Sequence, residues 1–258
     1  MNAFRTALAV ETRKARSSSS LRATGLLLAF GVPGIVAATI AAVRGAGTPE
    51  ARAQLLAKMG PQIASADWNA LVLAATQVTA AASVLAFGVG AAWIVGREFA
   101  DGTAPALFGL PVRRSAIVSA KLVVHLSWAV LVTLTLVGVL TLAGLALGLG
   151  APGPDVVLGL ARIVALGALS ALVALCAAVA ATIGRGILPG VAVAAVSIVA
   201  AQVSAFAGAP PWLPLAAPAM WAMDPGAVSL GPLVLVVAFG AACAAVTVAL
   251  WDRLQLAR

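Results

Sequence analysis

The chain has 258 residues, of which 62% are hydrophobic and only 9% charged, with a mean hydropathy of +1.09. A soluble domain carries about 25% charged residues, so this composition excludes an ordinary water-facing surface and makes the bilayer the expected solvent. The net charge of +8 comes from scattered Lys and Arg with no aromatic platform among them, which argues for membrane topology and against nucleic acid as a partner.

The segment 1–20 opens with MNAFRTALAVETRKAR. It places Phe4, Ala7, Leu8 and Glu11 on one helical stripe and Arg5, Thr12, Arg13 and Arg16 elsewhere. Two readings fit. One is a short amphipathic helix on the inner membrane surface, its cations toward anionic headgroup lipid; the other is a frayed basic tail. Ser17–Ser20 is then the bend into the membrane. A cleavable signal is not expected, because the first apolar run follows five basic residues and is too long for the apolar core of one.

A helical crossing takes about 20 apolar residues. Six stretches qualify: 24–43, 71–95, 122–149, 163–183, 187–206 and 232–251. Strands of a membrane barrel would run about 10 residues with alternating polarity. The expected fold is therefore all-α and polytopic, a single transmembrane domain over residues 1–258. Gly184-Arg185-Gly186 joins the fourth and fifth spans in a tight hairpin. The loop 207–231 is rich in Pro, holds Trp212 and Trp221, and is poor in polar residues, so it is expected to dip into the outer leaflet as re-entrant or interfacial pieces.

Of the 16 Lys and Arg, only Arg44, Arg52, Lys58 and Arg162 fall on the outer side if the N-terminus is inside. The positive-inside rule therefore puts both termini in the cytoplasm. Trp68, Trp212 and Trp221 fall near the outer boundary and Trp93 and Trp251 near the inner one, as aromatic belts do. Trp128 lies two turns into the third span, facing a neighbouring helix.

Chemistry of the chain's own is scarce. GLGAPG at Gly148–Gly153 matches a dinucleotide-binding glycine pattern but follows a membrane helix and carries a proline where a phosphate-binding helix should start. No phosphate loop of the Walker type occurs, so no cofactor is expected on this chain and no catalytic residue is assigned. His125 is the one histidine. It cannot make a metal site alone and reads as an interhelical hydrogen-bonding group. Cys176 and Cys243 match no metal or redox spacing. Asp and Glu are missing from the span centres, which argues against ion-coupled transport within this chain. Gly144 with Gly148 and Gly186 with Gly190 have the spacing that lets helices approach closely, a cheap match in so Gly-rich a chain.

Polar residues inside the spans are few. The second carries Thr76, Gln77, Thr79 and Ser83; the fifth carries Ser197, Gln202 and Ser204. An amide in lipid is costly, so each must face protein, water or a ligand. Interhelical hydrogen bonding and the lining of a translocation pathway both satisfy that requirement.

The dense polar stretch is 96–121, GREFADGTAPALFGLPVRRSAIVSAK, between the second and third spans and cytoplasmic by the topology above. Helix continues through Arg97 and Glu98. Gly102 breaks it, Thr103 can N-cap a short helix that tolerates Pro105, and Asp101 favours its positive end. Gly109 and Pro111 end it, and Arg113, Arg114 and Lys121 lead back to the headgroups. A bare connection needs neither a cap nor the apolar Leu107, Phe108 and Leu110; a docking surface does.

The order Glu98, Gly102-Thr103, Leu107, Pro111, Arg114, Lys121 between spans two and three resembles the ABC-2 class of ATP-binding cassette transporter permeases. Similar proteins also begin with an amphipathic helix carrying a Glu and basic residues, as Glu11, Arg13 and Lys14 do here, and end with a hydrophobic outer loop between spans five and six. The resemblance implies that Thr103 to Leu110 is a coupling helix docking on a separate ATPase subunit, positioned by Arg97, Glu98, Asp101, Arg113 and Arg114. Ala100 and Pro105 depart from the basic and polar residues common there. It further implies an exporter with no enzyme activity of its own, ATP and Mg held by the partner, and a second copy or sister permease completing the membrane half. The apolar lining suggests a lipid-like or amphipathic drug-like substrate, and the Ala- and Gly-rich composition a bacterial plasma membrane. A membrane anchor binding a cytoplasmic partner without transport would use the same loop. An intramembrane enzyme is disfavoured by the missing acid, base and metal groups.

Overall fold

Proline, glycine and a few capping side chains divide the chain into helices joined by short turns. The computed structural model describes residues 3–109, 111–207, 210 and 212–254, and no strand occurs among them. The elements are α1 (Ala3–Ser17), α2 (Ser19–Arg44), α3 (Pro49–Met59), α4 (Trp68–Ala100), α5 (Ala104–Phe108), α6 (Arg114–Ala146), α7 (Pro154–Ile183), α8 (Ile187–Phe206), α9 (Ala217–Met223) and α10 (Leu230–Arg253). Six of these, α2, α4, α6, α7, α8 and α10, are long and apolar enough to cross a membrane. The chain is an all-α, multi-pass membrane protein.

Five of the six long helices exceed the apolar runs that announce them, α8 alone matching its run. α4 and α6 have 33 residues each, about 50 Å at 1.5 Å per residue against a hydrocarbon core of about 30 Å. α4 starts early because the Asp67 carboxylate accepts from Ala70 N–H at 2.9 Å. α6 absorbs Arg114 to Lys121, and α7 begins at Pro154, whose missing N–H and fixed φ suit a first turn. Within α2 the five residues Leu27–Gly31 form a π-helical turn. Pro33 cannot donate to the carbonyl four residues back, and the wider turn absorbs that fault.

The end holding α1 is closed by charge; the far end is closed by loops. There Arg44 donates to Leu147 O at 2.5 Å and the Trp68 indole to Gly150 O at 3.1 Å. The tip of the Trp68 ring occupies the space a Cβ at Gly144 would need, whereas Gly148 turns the chain at φ +71° and packs against nothing. Of that glycine pair only one serves packing. Trp68 and Trp251 are both buried in protein, so neither belongs to a lipid-facing aromatic belt; Trp212 is exposed. Trp128 sits edge-on to Phe87 at 5.7 Å.

α4 is the central helix, and its closest approach is to α8. A Cβ added at Gly88 would lie 2.4 Å from Ala194 Cβ, one at Gly190 would lie 2.5 Å from Ala92 Cβ, and one at Gly96 would lie 2.7 Å from Gly186 O. These contacts recur every four residues, an antiparallel ladder of small side chains running from the α1 end toward the middle. The α7–α8 hairpin that feeds it turns through Arg185 at φ +49°. The outward faces of α2, α8 and α10 stay apolar and exposed, Leu188 at 81%, as a lipid-facing surface requires.

Candidate functional site

The polar stretch after α4 folds as two devices in sequence. Thr103 N–H donates to Glu98 O at 2.9 Å and Gly102 N–H to Phe99 O at 3.3 Å, with Gly102 at φ +67°. This is the paired closure that ends helices at a left-handed glycine. Thr103 therefore finishes α4 and does not N-cap α5: its hydroxyl lies 3.5 Å from Glu98 O, and α5 has no side-chain cap. α5 is held by its buried Ala104, with Pro105 exposed in its first turn and Leu107 half-buried. Leu110, and the side chain of Phe108, lie outside the described residues. Arg97 stacks on the Trp93 ring at 4.5 Å and sits 3.7 Å from the Asp101 carboxylate. Pro111 and Arg113 are exposed; Arg114 donates to Leu254 O and Ser115 N–H to the Asp252 carboxylate at 3.0 Å. The segment is thus tied at one side to α4 and at the other to the end of α10.

One turn before α5, α4 carries the most buried charge cluster of the described residues. Lys121 Nζ donates to Glu11 Oε2 at 2.8 Å, to Glu98 Oε1 at 2.9 Å and to Ile94 O at 3.1 Å. An ammonium has three protons, and all three are used. Lys14 Nζ donates to Glu11 Oε1 and to Glu98 Oε1, both at 2.9 Å. The ring is neutral overall. Glu98 and Lys121 are fully withdrawn from solvent, at 2% and 0% exposure. Burial works against the Lys14 charge, but its hydrogen bonds to Glu11 and Glu98 outweigh burial and lift its pKa above the ordinary lysine value. Trp251 roofs the cluster, its ring 6.0 Å from Lys121 Nζ and its indole N–H on Thr182 Oγ1 at 3.2 Å. Five helices, α1, α4, α6, α7 and α10, meet at this one knot.

Toward the far end, beyond the glycine ladder, α4 and α8 enclose a cavity of about 460 Å³ with α7 on one side and α9 above. Gln77, Gln202 and Ser170 line it, and Met220 and Met223 reach it from α9. The structure thus brings Gln77 and Gln202 together and adds Ser170. The other polar span residues stay apart. Thr76 and Ser197 donate to carbonyls of their own helices at 2.8 Å, and Thr79 and Ser83 are buried away from the cavity lining. His125 Nε2 bonds Ala171 O at 3.3 Å, the interhelical role expected of it, close to an irregular turn of α7 at Ala174.

Two features escape a reading of the sequence. Glu11, Lys14, Glu98 and Lys121 are each visible as charges near span ends, but their convergence is three-dimensional. Ser170 is a lone serine in the middle of an apolar span, a signal that was available.

No curated protein matches the chain. Residues 7–201, well over half of it, match the family described as ABC-2 family transporter protein. That region takes in most of α1, the charge knot, α5 and most of α8. Six membrane-capable helices with a polar α5 between the second and third, in a chain without a nucleotide-binding loop of its own, fit that match, and the chain belongs to the ABC-2 family of transporter proteins as the permease component of an ABC transporter.

Proposed function

We propose that this chain is the membrane half of an exporter, worked by a separate ATPase that docks on Thr103 to Leu110. ATP and Mg stay on that partner. The α1 end faces the cytoplasm, the membrane is a bacterial plasma membrane, and a second copy or a sister permease completes the pathway. The observation that carries the reading is the placement of α5: it leaves α4 through a rigid helix stop immediately after Glu98, the residue at the centre of the buried charge knot.

That placement gives α5 mechanical purchase. A push on an exposed loop is normally absorbed by its hinges. Here one side of the segment is the last turn of a 33-residue helix, and the other is pinned by Arg114 and Ser115 to the end of α10. Displacing α5 therefore displaces α4, and through the ion pairs of Glu98 it also displaces α1 and α6. At the opposite end of α4, Gln77 lines the cavity, so motion of that helix changes the space between α4 and α8. Thr76, Thr79, Ser83 and Ser197 would contribute to the pathway as those helices turn. The apolar walls suit a lipid-like or amphipathic substrate.

Co-purification with a candidate ATPase, followed by hydrolysis measurements in lipid, tests the reading. Leu107→Asp with Phe108→Asp is expected to abolish complex formation and lipid-supported stimulation of hydrolysis while leaving the folded permease intact by gel filtration. A complex that survives both substitutions would refute docking through this helix.

A further inference from the structure

The cavity between α4, α7, α8 and α9 has a chemistry more specific than an apolar pathway. We infer that it is a binding site for an uncharged, largely apolar molecule of drug size that carries a carbonyl or similar hydrogen-bond acceptor, received by Ser170 and Gln202 under a lid formed by α9. This rests on the permease reading for its place in transport, though not for the binding itself.

Ser170 is the first support. Hydroxyls in these spans characteristically donate to the carbonyl four residues back: Thr76 to Val72, Thr133 to Ala129, Thr182 to Ala178 and Ser197 to Val193, all at 2.8–2.9 Å. Ser170 does not. Its Oγ is buried and has no hydrogen-bond partner among the described residues, and the residue, at 1% exposure, lines the cavity; Thr79 Oγ1 and Ser83 Oγ are likewise unpaired, but their residues do not line it. A buried hydroxyl left unpaired is costly, so a site that holds one has something to gain from an acceptor or donor placed in the cavity.

The amides are the second. Gln202 is exposed on a span whose neighbouring Val199 and Val203 are also exposed and apolar, and it has no partner among the described residues. Gln77 accepts a long 3.4 Å bond from Gln62 through its oxygen, which leaves its NH2 group for the cavity. The three polar groups thus converge from three helices on one space.

Charge is the third. Among the described residues no ionisable side chain lines the cavity. Asp155 and Arg162 line a separate cleft of about 150 Å³ that shares only Met223 with it. An ion taken into such a site would be buried without a counter-charge, at a prohibitive desolvation cost. The volume lies within the roughly 300–1,000 Å³ of sites that take drug-sized ligands, and the flexible Met220 and Met223 let the lid fit different shapes.

Photolabelling tests the inference with the full chain in phosphatidylcholine nanodiscs and three probes: benzophenone, its anionic 4-carboxylate and its cationic 4-(trimethylammoniomethyl) derivative. Labelling is read by peptide mapping and normalised to lipid-facing α10. Benzophenone should concentrate on Met220 and Met223, and both charged probes should fail to. Ser170→Val should lower the benzophenone signal about three- to tenfold, the value of one hydrogen bond. Ser170→Ala should do the same with a smaller side chain, and Ser204→Ala, outside the cavity, should change nothing. Equal enrichment by the charged probes, or indifference to both Ser170 substitutions, overturns the proposal. Because labelling needs no ATPase, the two readings fail separately: a chain that labels as expected but recruits no ATPase refutes the exporter, and one that recruits an ATPase but labels indifferently refutes this site.

Discussion

The two ends of α4 bury polar groups in opposite ways. At the α1 end, Glu11, Lys14, Glu98 and Lys121 pair with one another at 2.8–2.9 Å, and of their oxygens only the buried Glu98 Oε2 has no partner among the described residues. At the far end, Ser170 and Gln202 line a cavity and have no partner among the described residues. A closed polar network specifies one geometry and resists change, because removing any member strands the rest. An open one leaves its hydrogen-bonding capacity for something else. One helix thus joins a stiff joint to a receptive space, and the glycine ladder between α4 and α8 marks where the first gives way to the second.

The largest effect should come from breaking the joint. Lys121→Met leaves Glu11 and Glu98 with one cation between them in a dry site. Loss of one partner from a buried ion pair costs about 3–5 kcal/mol, so the melting temperature in detergent should fall steeply. Adding Glu98→Gln removes the stranded charge, and the double variant should melt above the single one. If Lys121→Met alone melted like the parent, the knot would be incidental to the fold. The sign of the Lys14 contribution is also fixed. Its pKa is raised, so its stabilisation is complete below the ordinary lysine value and is lost only as pH rises through the raised one. Within the physiological range the Lys14 contribution should not vary with pH.

The ladder is the next point of attack. A Cβ at Gly190 would meet Ala92 Cβ at 2.5 Å and Ala177 O at 2.7 Å. Neither neighbour is a flexible side-chain tip that could swing away. Gly190→Val should therefore destabilise by about 1–3 kcal/mol through overpacking, read as a lower melting temperature. Gly148→Ala is a contrasting case at a similar sequence level: nothing surrounds it, and its φ of +71° alone opposes the change.

Both regions differ in how far the sequence discloses them. The crossing helices are legible because hydrocarbon imposes length and polarity on every span. Their ends are less so. A hydropathy reading stops at the first charge, whereas α6 runs through Arg114 to Lys121 because a long side chain can be paired by a neighbouring helix. Thr103 carries the composition of an N-cap, yet Gly102 turns the chain so that Thr103 closes the helix behind it. Gln77 and Gln202 were legible as pathway candidates, since an amide in a span must face something polar. That they share a cavity depends on the register of α4 against α8, which the small residues set collectively and no single motif announces.

The smallest effect sharpens the contrast at the far end, where polar anchoring is exposed. Asp67 caps α4: its carboxylate accepts from Ala70 N–H at 2.9 Å and from the Ser65 hydroxyl at 2.9 Å. The Ala70 bond is the main reason its pKa lies below the ordinary carboxylate value, and partial burial opposes it only in part. A depressed carboxylate contributes stability that is present above its unfolded value and is lost as pH falls through the folded one, so the window lies below about pH 3.8. Asp67→Ala should cost about 1 kcal/mol, the usual value of such a cap. Asp67→Asn keeps a capping oxygen and cannot titrate. Melting curves of the parent and the Asn variant should run nearly together at neutral pH, and any advantage of the parent should vanish as pH drops below that window. Because the cap sits on the first turn of α4, a loss confined to this end should leave ATPase docking at α5 untouched. A docking defect in Asp67→Ala would mean that the two ends of α4 are less independent than their chemistry implies.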